Sequence, residues 1–362
     1  MAATTRHIGW PKSQTPKKMI SAASAYDRHK TDYVRSILAI QVSRIGDTLL
    51  ATPALRALAT AYPQAKITCL AHPKRAEILQ GLPFIHRLGH ITKKTAPLRG
   101  WLPVHRYDLA VVFGFDQTLV SYALRVAHRV IAFRQGRPTL DARLWRTVEE
   151  PLFQSRHAVE YLLALTDAMD IPVAGKQLSY VVTNTEREWA KTRLNPLRTT
   201  NATPLIGVQI ASFPTKGYRD WPVEHFIELC QRIRAEHPNA HFFIFGGKLE
   251  HARTKALHAA LPECSTHLAG TLTLRQTGAL MNEVDLYIGV DTGPTHIMGA
   301  LHRPMIAMYH GHSPSRFLAP LEHPCLWAID HPQAEKGTTP DDYSMTAISV
   351  ETVLAKVREA IG

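Results

Sequence analysis

The stretch IGVDTGPTHIMGAL, residues 288–301, decides how the second half of this chain folds. Its apolar beginning predicts a buried strand, and THIMGAL predicts a helix that starts within a few residues of the strand's end. Gly293 and Pro294 suit a helix start, because proline at the first helical position loses no N–H donor that the helix needs. A strand that passes directly into a helix is the unit of a parallel sheet covered by helices on its faces.

The same alternation of strand and helix extends over most of the chain. From Val34 onward, apolar β-rich runs alternate with segments of helical periodicity. A polar stretch with two prolines, NPLRTTNATP at 195–204, interrupts this pattern, which restarts directly afterwards. The sequence therefore predicts two α/β domains of similar size, 34–194 and 205–362, joined by a linker at 195–204. Whether the last helix, near 350–361, packs back on the first domain stays open.

Composition and charge narrow the class of protein. The chain has 362 residues, 45% of them hydrophobic and 20% charged, as in a globular protein of two domains. The formal net charge is +12 and the sequence pI about 9.6. We therefore expect an anionic partner: nucleic acid, a membrane surface or a phosphorylated substrate. Residues 1–33 are polar and basic, and we expect them to form a disordered arm.

Targeting and redox features indicate the cytoplasm. No apolar run approaches the roughly 18 residues that a transmembrane helix needs, and the N-terminal residues lack the apolar segment of a secretory signal. The four cysteines are far apart and include no CxxC pair, which argues against a zinc site or a disulfide framework. We expect a cytoplasmic protein with reduced thiols and no transmembrane segment.

The junction Asp291-Thr292-Gly293 has the composition of an anion-binding site. A helix N-terminus presents N–H groups without partners and about half a positive charge, which favours phosphate. Thr292 and Thr295 add hydroxyl donors, while Asp291 suits the hydroxyl groups of a sugar or the amides of a loop. The alternative is a capped helix start with no ligand.

Two further loops follow strands of the second predicted sheet. SFPTKGYRDWP, residues 212–222, carries hydroxyl and cationic side chains: Ser212, Thr215, Lys216 and Arg219. FGGKLE offers Glu250, and a carboxylate just after a strand end suits ribose hydroxyls. Because the carboxyl ends of parallel strands meet at one edge, these loops together predict a pocket for a nucleotide diphosphate.

The first domain has a junction of its own in QVSRIGDTLL, residues 41–50. Gly46 permits a tight turn, and Asp47 stands at the start of a helix. Asp47 either caps that helix or faces the predicted cleft as a general base.

Two blocks of sequence resemble glycosyltransferase family 9, the bacterial heptosyltransferases of lipopolysaccharide core assembly. They are SRIGDTLLATPALRALATAYPQAKIT, residues 43–68, and LAGTLTLRQTGALMNEVDLYIGVDTGPTHIMGALHRPMIAMYHGHSP, residues 268–314. Trp221-Pro222 stands between them in the family's order, and the resemblance extends over about residues 35–320. It implies a GT-B fold, in which two Rossmann-like α/β/α domains face each other across a cleft. It also implies inverting transfer of a heptose from ADP-heptose to a sugar hydroxyl of the core.

The resemblance implies roles for individual residues. Asp47 matches the family's catalytic aspartate, which deprotonates the acceptor hydroxyl. The donor-binding residues it implies are Glu250 for ribose, Leu272 to Leu274 for adenine, and Asp291, Thr292, Gly293 and His296 for the pyrophosphate. No metal and no cofactor besides the nucleotide-sugar donor are expected.

The chain departs from the family in two loops. Arg219 stands where the family often has lysine, and Lys216 lies three residues earlier. Arginine keeps the charge but differs from lysine in geometry, so either residue can stabilise the leaving diphosphate. After Tyr309-His310-Gly311, His312 and Ser313 stand where the family usually has threonine.

Two basic stretches, 86–106 and 125–156, lie in the first domain, where the family binds its acceptor. The family's acceptors are anionic glycolipids at a membrane surface, and the planar fork of arginine binds carboxylates and phosphates. We expect acceptor contacts from four residues: Lys93, Lys94, Arg134 and Arg137. We also expect peripheral association with the inner face of the inner membrane and no nucleic-acid partner. The alternative is a solvated basic face that only aids solubility.

Other functions stay open. A GT-B transferase that uses a different nucleotide sugar would need the same loops. A nicotinamide-dependent oxidoreductase is disfavoured, because SRIGDT lacks the GxGxxG pattern. A non-catalytic sugar-nucleotide-binding protein would give Asp47 no chemical role. A metal enzyme is disfavoured because the chain has no HExxH and no Asp-x-Asp pair, and HGHS at 310–313 has no third ligand nearby.

Overall fold

The computed structural model describes the chain in five ranges, 34–101, 105–151, 155–210, 214–334 and 344–362. The arm predicted for residues 1–33 lies outside them. No helix in these ranges is both long enough and apolar enough to cross a membrane.

The first half of the chain forms a parallel sheet with helices on both faces. Four consecutive residues of its first strand, 37–40, are fully buried, as expected for a strand covered on both sides. The elements are β1 (Ser36–Gln41), α1 (Ile45–Leu50), α2 (Thr52–Ala61), β2 (Lys66–Ala71), β3 (Arg87–His90), β4 (Tyr107–Val112), α3 (Gln117–Val126), β5 (Ala127–Phe133), α4 (Pro138–Asp141), β6 (Arg146–Val148), α5 (Ala158–Asp167) and α6 (Asn184–Thr199).

The second half repeats this plan. Its strands β7, β8, β10 and β11 are buried along their whole length. The elements are β7 (Leu205–Gln209), α7 (Val223–Glu236), β8 (His241–Phe245), α8 (His251–Ala260), β9 (Ser265–His267), α9 (Leu274–Met281), β10 (Leu286–Val290), α10 (Gly293–Leu301), β11 (Met305–Tyr309), α11 (Ser315–Leu318), β12 (Leu326–Asp330) and α12 (Val350–Ile361). Short 3-10 turns occur at Ala76–Leu79, Ala96–Leu98, Pro214–Arg219, Lys248–Glu250 and Met345–Ala347.

The two six-stranded sheets have the same topology. Their strand orders are β3-β2-β1-β4-β5-β6 and β12-β11-β10-β7-β8-β9, and the described pairings are parallel. In each sheet the order reverses once, between β1 and β4 and between β7 and β10. Ligands of such sheets bind outside the carboxyl ends of the strands at that reversal. The predicted fold of two Rossmann-like α/β domains is confirmed.

The last helix packs within the second domain. Val353, Leu354 and Val357 of α12 are buried in one apolar cluster with Phe226 and Ile233 of α7. These residues share one face of α12, because helical neighbours on a face recur every three to four positions. The possibility that α12 packs back on the first domain is therefore wrong.

Helix α6 extends into the predicted linker. It ends at Thr199 rather than near residue 194, with Pro196 inside its last turns. Ala190 and Leu194 are buried in the core, and this packing holds the helix across the polar stretch that suggested a boundary. At its start, Thr183 and Glu186 form the reciprocal hydrogen bonds of a capping box. The domain limits 34–194, 195–204 and 205–362 stay a prediction.

Arg275 of α9 connects the second sheet to the segment before α6. Its guanidinium donates to Glu186 Oε1 at 2.8 Å and to the carbonyl of Val181 at 2.7 Å, and it lies over the Tyr180 ring at 4.7 Å. A buried guanidinium with several acceptors is held in one geometry. Arg275 thus fixes one point of contact between the two halves of the chain.

Candidate active site

A cleft of about 520 Å³ opens between the carboxyl ends of the two sheets. The first sheet contributes the start of α1, with Gly46 and Asp47, and the second contributes three loops and the start of α10. Ligands of such sheets are expected at this place, outside the carboxyl ends of the strands where the strand order reverses. Residues predicted for catalysis and for donor binding therefore lie around one cavity.

The N-terminus of α10 faces this cleft with polar atoms that lack partners. Thr292 is the N-cap residue but makes no capping bond through its side chain. Among the described residues, neither the hydroxyl of Thr292 nor Nδ1 of His296 has a hydrogen-bond partner, although both atoms are buried. Buried polar atoms are normally satisfied, and the helix end adds N–H groups and positive potential. The arrangement suits an anionic ligand.

Thr295 differs from its neighbour Thr292. Its side chain is buried, and its hydroxyl lies 2.9 Å from Tyr287 Oη and donates to the carbonyl of Val290. The expectation that Thr295 adds a hydroxyl donor to the pocket is wrong, because strand β10 already takes that donor.

Asp291 is buried and bonded inside the protein. Its Oδ2 lies 2.9 Å from Arg219 Nη1, and its Oδ1 lies 3.4 Å from His296 Nε2. The other end of the guanidinium, Arg219 Nη2, donates to Ser313 Oγ at 2.7 Å. A buried carboxylate needs such a partner, because its desolvation is otherwise costly. Asp291 thus ties together the loops after β7, β10 and β11.

Lys216 lines the same wall of the cleft. Its Nζ lies 3.1 Å from Tyr218 Oη. Burial raises the pKa of the Tyr218 hydroxyl, but hydrogen bonds and charges from Lys216 and Arg219 outweigh it and hold the pKa below its usual value. The ammonium group of Lys216 thus lies at this wall of the cleft. Of the other two residues predicted in this loop, Ser212 lies outside the described residues and Thr215 lies in the 3-10 turn Pro214–Arg219.

Glu250 and Leu272 form the opposite end of the cleft in the second domain. Glu250 is buried, and its Oε2 accepts a hydrogen bond from the backbone N–H of Gly247 at 2.7 Å. This bond fixes the carboxylate just after β8, where the sequence placed a ribose-binding acid. Leu272 and Leu274 are half-buried and add apolar surface, which suits the face of a planar base.

Asp47 is exposed at the third position of α1. Its Oδ2 accepts from the hydroxyl of Ser43 at 2.7 Å and, more weakly, from the backbone N–H of Arg44 at 3.4 Å. Gln41 Nε2 donates to the carbonyl of Asp47 at 2.7 Å. Asp47 therefore does cap the first turn of α1, and the same bonds aim an exposed carboxylate into the cleft. The two alternatives that the sequence left for Asp47 are compatible.

Two glycines allow α1 and α10 to meet at the floor of the cleft. A Cβ atom added to Gly46 would lie 2.6 Å from Cδ2 of His296, and one added to Gly293 would lie 2.9 Å from Cβ of Ile45. Gly46 lies inside α1 and not in a tight turn, so its predicted role was wrong. Its lack of a side chain allows close approach of the two helices, a contact that sequence patterns do not show.

The predicted acceptor residues lie at the carboxyl edge of the first sheet, beside the cleft but not lining it. Arg134, just after β5, forms a forked ion pair with Glu149, with Nε at 2.7 and 2.9 Å from the two carboxylate oxygens. Lys93 lies 3.0 Å from Asp116, while Lys94 and Arg137 are exposed. Arg134 also borders an open depression of about 500 Å³.

The predicted basic face is in fact two separate surfaces. Arg129 and Arg134 lie at opposite ends of β5, roughly 17 Å apart at about 3.3 Å per residue. Arg146, the first residue of β6, pairs in register with Ile131 and so lies between these two positions. Lys93, Lys94, Arg134 and Arg137 follow strand ends on the same edge as Asp47.

The described residues contain no group of three or more side chains suited to hold a metal ion. In the HGHS segment, Nδ1 of His310 accepts a hydrogen bond from the backbone N–H of His312 at 3.1 Å. This bond folds the segment back on itself.

Two Rossmann-like sheets whose carboxyl ends face one cleft, with a helix N-terminus on one side and a carboxylate on the other, have the architecture of the GT-B fold. Comparison with known proteins agrees: the model of glycosyltransferase family 9 (heptosyltransferase) matches residues 111–337. The chain belongs to that family.

Individual relatives give the same result. The chain is 23% identical over 299 residues to the lipopolysaccharide core heptosyltransferase OpsX of Haemophilus influenzae, covering 79% of this chain and 82% of that protein. It is 26% identical over 339 residues to lipopolysaccharide heptosyltransferase 2 of Escherichia coli K12, covering 87% and 94%. The solved structure of a family 9 glycosyltransferase from Veillonella parvula superposes with a TM-score of 0.75 at 18% identity, covering 91% and 97%, and so shares the fold.

Proposed function

We propose that this protein transfers a heptose from ADP-heptose to a sugar hydroxyl of a lipopolysaccharide core acceptor, with inversion at the anomeric carbon. The observation that carries the proposal is the cleft itself. Buried polar atoms without partners, Thr292 Oγ1 and His296 Nδ1, lie at a helix N-terminus on the side opposite the exposed carboxylate of Asp47. The names of the relatives, lipopolysaccharide heptosyltransferases, support the choice of sugar and acceptor.

The donor occupies the second domain in this proposal. Its diphosphate lies at the start of α10, where Thr292 and the backbone of Gly293 meet it. Because Arg219 is held at both Nη atoms by Asp291 and Ser313, we assign the diphosphate contact to Lys216. Arg219 then positions the loop and does not itself move to the ligand.

The nucleoside lies at the other end of the cleft. Glu250 Oε2 already accepts a backbone hydrogen bond, so we assign Oε1 to the ribose hydroxyls. Adenine rests against Leu272 and Leu274, whose half-buried side chains provide an apolar surface.

Asp47 acts as the general base. Its Oδ2 is bonded to Ser43 and Arg44, and Oδ1 takes the proton of the acceptor hydroxyl as that oxygen attacks the anomeric carbon. The bond from the anomeric carbon to the β-phosphate oxygen breaks on the opposite face, which inverts the configuration. ADP leaves with the bonding electrons, and the helix N-terminus, Thr292 and Lys216 stabilise its charge.

We place the acceptor against the first domain, with Lys93, Lys94, Arg134 and Arg137 nearest its anionic groups. The acceptor is an anionic glycolipid, so the enzyme works in the cytoplasm at the inner face of the inner membrane. Charge supports this placement, because cationic residues at the edge of the cleft attract carboxylates and phosphates.

The test is direct turnover. The purified chain is incubated with ADP-heptose and a panel of truncated core acceptors, and released ADP and product mass are measured. We expect acceptor-dependent ADP release that Asp47→Asn abolishes without loss of ADP binding. Turnover with a UDP- or GDP-sugar but not with ADP-heptose would assign a different donor. ADP-heptose binding without transfer to any acceptor would make the protein a binding protein.

A further inference from the structure

Three large apolar side chains of the first domain are exposed outside the cleft. Leu98 is 81% exposed, Trp101 71% and Trp145 37%. Trp101 lies in the segment before β4, and Trp145 directly precedes β6. Exposed large apolar groups that occur together mark an interaction surface more often than chance.

Each tryptophan is covered by arginine. The guanidinium of Arg125 lies 4.5 Å from the ring centre of Trp101. Those of Arg129 and Arg146 lie 5.3 and 5.0 Å from the ring of Trp145. These distances are within the range of cation–π attraction, so cations and aromatic rings share one surface.

The two tryptophan sites are parts of one surface. Arg125 Nε donates to the carbonyl of Arg99 at 3.0 Å, which brings Arg99 beside Trp101. The backbone N–H of Trp145 donates to the carbonyl of Val130 at 2.8 Å, next to Arg129. Arg125 over Trp101 and Arg129 over Trp145 are therefore only four residues apart, at the junction of α3 and β5. We call this set the Trp–Arg surface: Leu98, Arg99, Trp101, Arg125, Arg129, Trp145 and Arg146.

We propose that the Trp–Arg surface docks on an anionic lipid bilayer. Tryptophan suits the boundary between headgroups and acyl chains, because its ring is apolar and amphipathic. Arginine binds the phosphates of anionic headgroups, and an exposed leucine gains by entering the acyl region. Nucleic acid would also attract these arginines, but it offers no apolar phase for Leu98.

This inference goes beyond the proposed transfer reaction, since it names the surface that meets the membrane and does not depend on turnover.

Vesicle binding of the full chain tests the proposal. We expect binding to phosphatidylcholine vesicles that contain roughly 30% phosphatidylglycerol, and little binding to phosphatidylcholine alone. Arg129→Gln with Arg146→Gln should weaken the partition coefficient about 30-fold, since each basic residue at an anionic surface contributes about 1 kcal/mol. Leu98→Ala with Trp101→Ala should weaken it about tenfold even at high salt, where charge is screened.

The matched control removes the same charge elsewhere. Arg193 and Lys255 are exposed on α6 and α8, and Arg193→Gln with Lys255→Gln should bind vesicles like the wild type. Thermal melting of each variant checks its folding. Equal vesicle binding by the wild type and both surface variants would overturn the proposal.

Two further measurements separate this surface from other functions. Transfer to a delipidated, water-soluble acceptor should be the same in the wild type and the surface variants, because that acceptor needs no bilayer. A parallel loss of that transfer would make the surface a sugar site and overturn the docking proposal. Binding to an oligonucleotide but not to vesicles would make it a nucleic-acid site. If the wild type transfers no sugar at all, only the proposed function fails, and the vesicle data still decide.

Discussion

Arg219 Nη1 lies 2.9 Å from Oδ2 of Asp291, and this ion pair is largely buried. The same guanidinium reaches Ser313 with its other end. Its charge is thus compensated within the protein, and each of its Nη atoms makes one of these two bonds. The pair therefore has a structural role in shaping the donor pocket. We expect Arg219 and Lys216 to differ in two measurable properties, their effect on ADP affinity and their effect on stability.

The first prediction separates these two cations. Lys216→Met should weaken ADP binding about tenfold or more, because a hydrogen bond to a charged group contributes about 1.5–3 kcal/mol. Its melting temperature should change little. Arg219→Met should lower the free energy of unfolding by about 3 kcal/mol, since it leaves Asp291 buried without its cation. Calorimetry measures the ADP affinity, and denaturant unfolding measures the stability. Unchanged ADP affinity in Lys216→Met would contradict the assignment of the diphosphate contact to Lys216.

The second prediction concerns Asp47. Asp47→Ala should reduce turnover by about 100-fold or more, the usual scale for loss of a general base, with ADP affinity unchanged. Because Asp47 also caps α1, the free energy of unfolding should fall by about 1 kcal/mol. Asp47→Asn is the matched control: it keeps an acceptor for Ser43 and should retain more stability but no more activity. Recovery of turnover in Asp47→Asn would show that capping alone matters.

The third prediction uses neighbouring threonines with different surroundings. Thr292→Val should weaken ADP binding about fivefold, the effect of about 1 kcal/mol for one hydrogen bond. Its stability should not fall, because the buried hydroxyl has no protein partner among the described residues. Thr295→Val should instead lower the stability and leave ADP affinity unchanged, since its hydroxyl is bonded to Tyr287 and Val290. Calorimetry and thermal melting decide; equal ADP affinity in both variants and the wild type would place the diphosphate elsewhere.

The fourth prediction tests the contact between α1 and α10. Gly46→Ala places a methyl group 2.6 Å from the His296 ring, an overlap that we expect to cost about 1–3 kcal/mol and to reduce turnover by displacing Asp47. His296→Ala removes the ring and should relieve this effect. A double-mutant cycle of unfolding free energies should therefore show coupling of at least about 1 kcal/mol. Strictly additive effects would mean that the helices do not touch in solution.

The fifth prediction concerns the acceptor side. Arg134→Glu with Arg137→Glu should raise the acceptor KM and leave the donor KM unchanged, with a smaller effect at high salt, where exposed charges are screened over about 10 Å at 0.1 M. Glu149→Gln is a second informative variant, because Glu149 forms the ion pair with Arg134. Removing its charge frees Arg134 for the acceptor and should lower the acceptor KM. Steady-state kinetics measure both KM values; no change in the reversed variant would leave these arginines a role in solubility alone.

The strands that the sequence predicts are the central strands of both sheets. The sequence patterns did not predict the strands at the sheet edges, which are β3, β6, β9 and β12. A central parallel strand is covered on both faces and appears as a continuous apolar run. The edge strands RLGH, RTV and STH are short and mostly polar, as expected where one side meets solvent. These short segments are strands because their backbones hydrogen-bond to a neighbouring strand.

The candidate site was predictable in position but not in its internal bonds. Strand ends and helix starts placed Asp47, Glu250 and Thr292 around one cleft. The partner of Asp291 is 72 residues distant in the chain, and no local pattern can show such a pair. Arg129 and Arg134 belong to one basic stretch of sequence but lie toward opposite ends of β5, because sequence distance does not show which end of a strand a side chain occupies.

The contact of Gly46 with His296 has a consequence for how the enzyme moves. It lies at the floor of the cleft, and Arg275 forms a second fixed contact near the start of α6. Two fixed contacts define an axis, so we expect the domains to open by rotation about it rather than by separating. Such a rotation changes distances least near the two contacts, and Asp47 and Thr292 each lie next to residues of the first one, Gly46 and Gly293. The reacting groups therefore keep their spacing while parts of the cleft farther from the axis open.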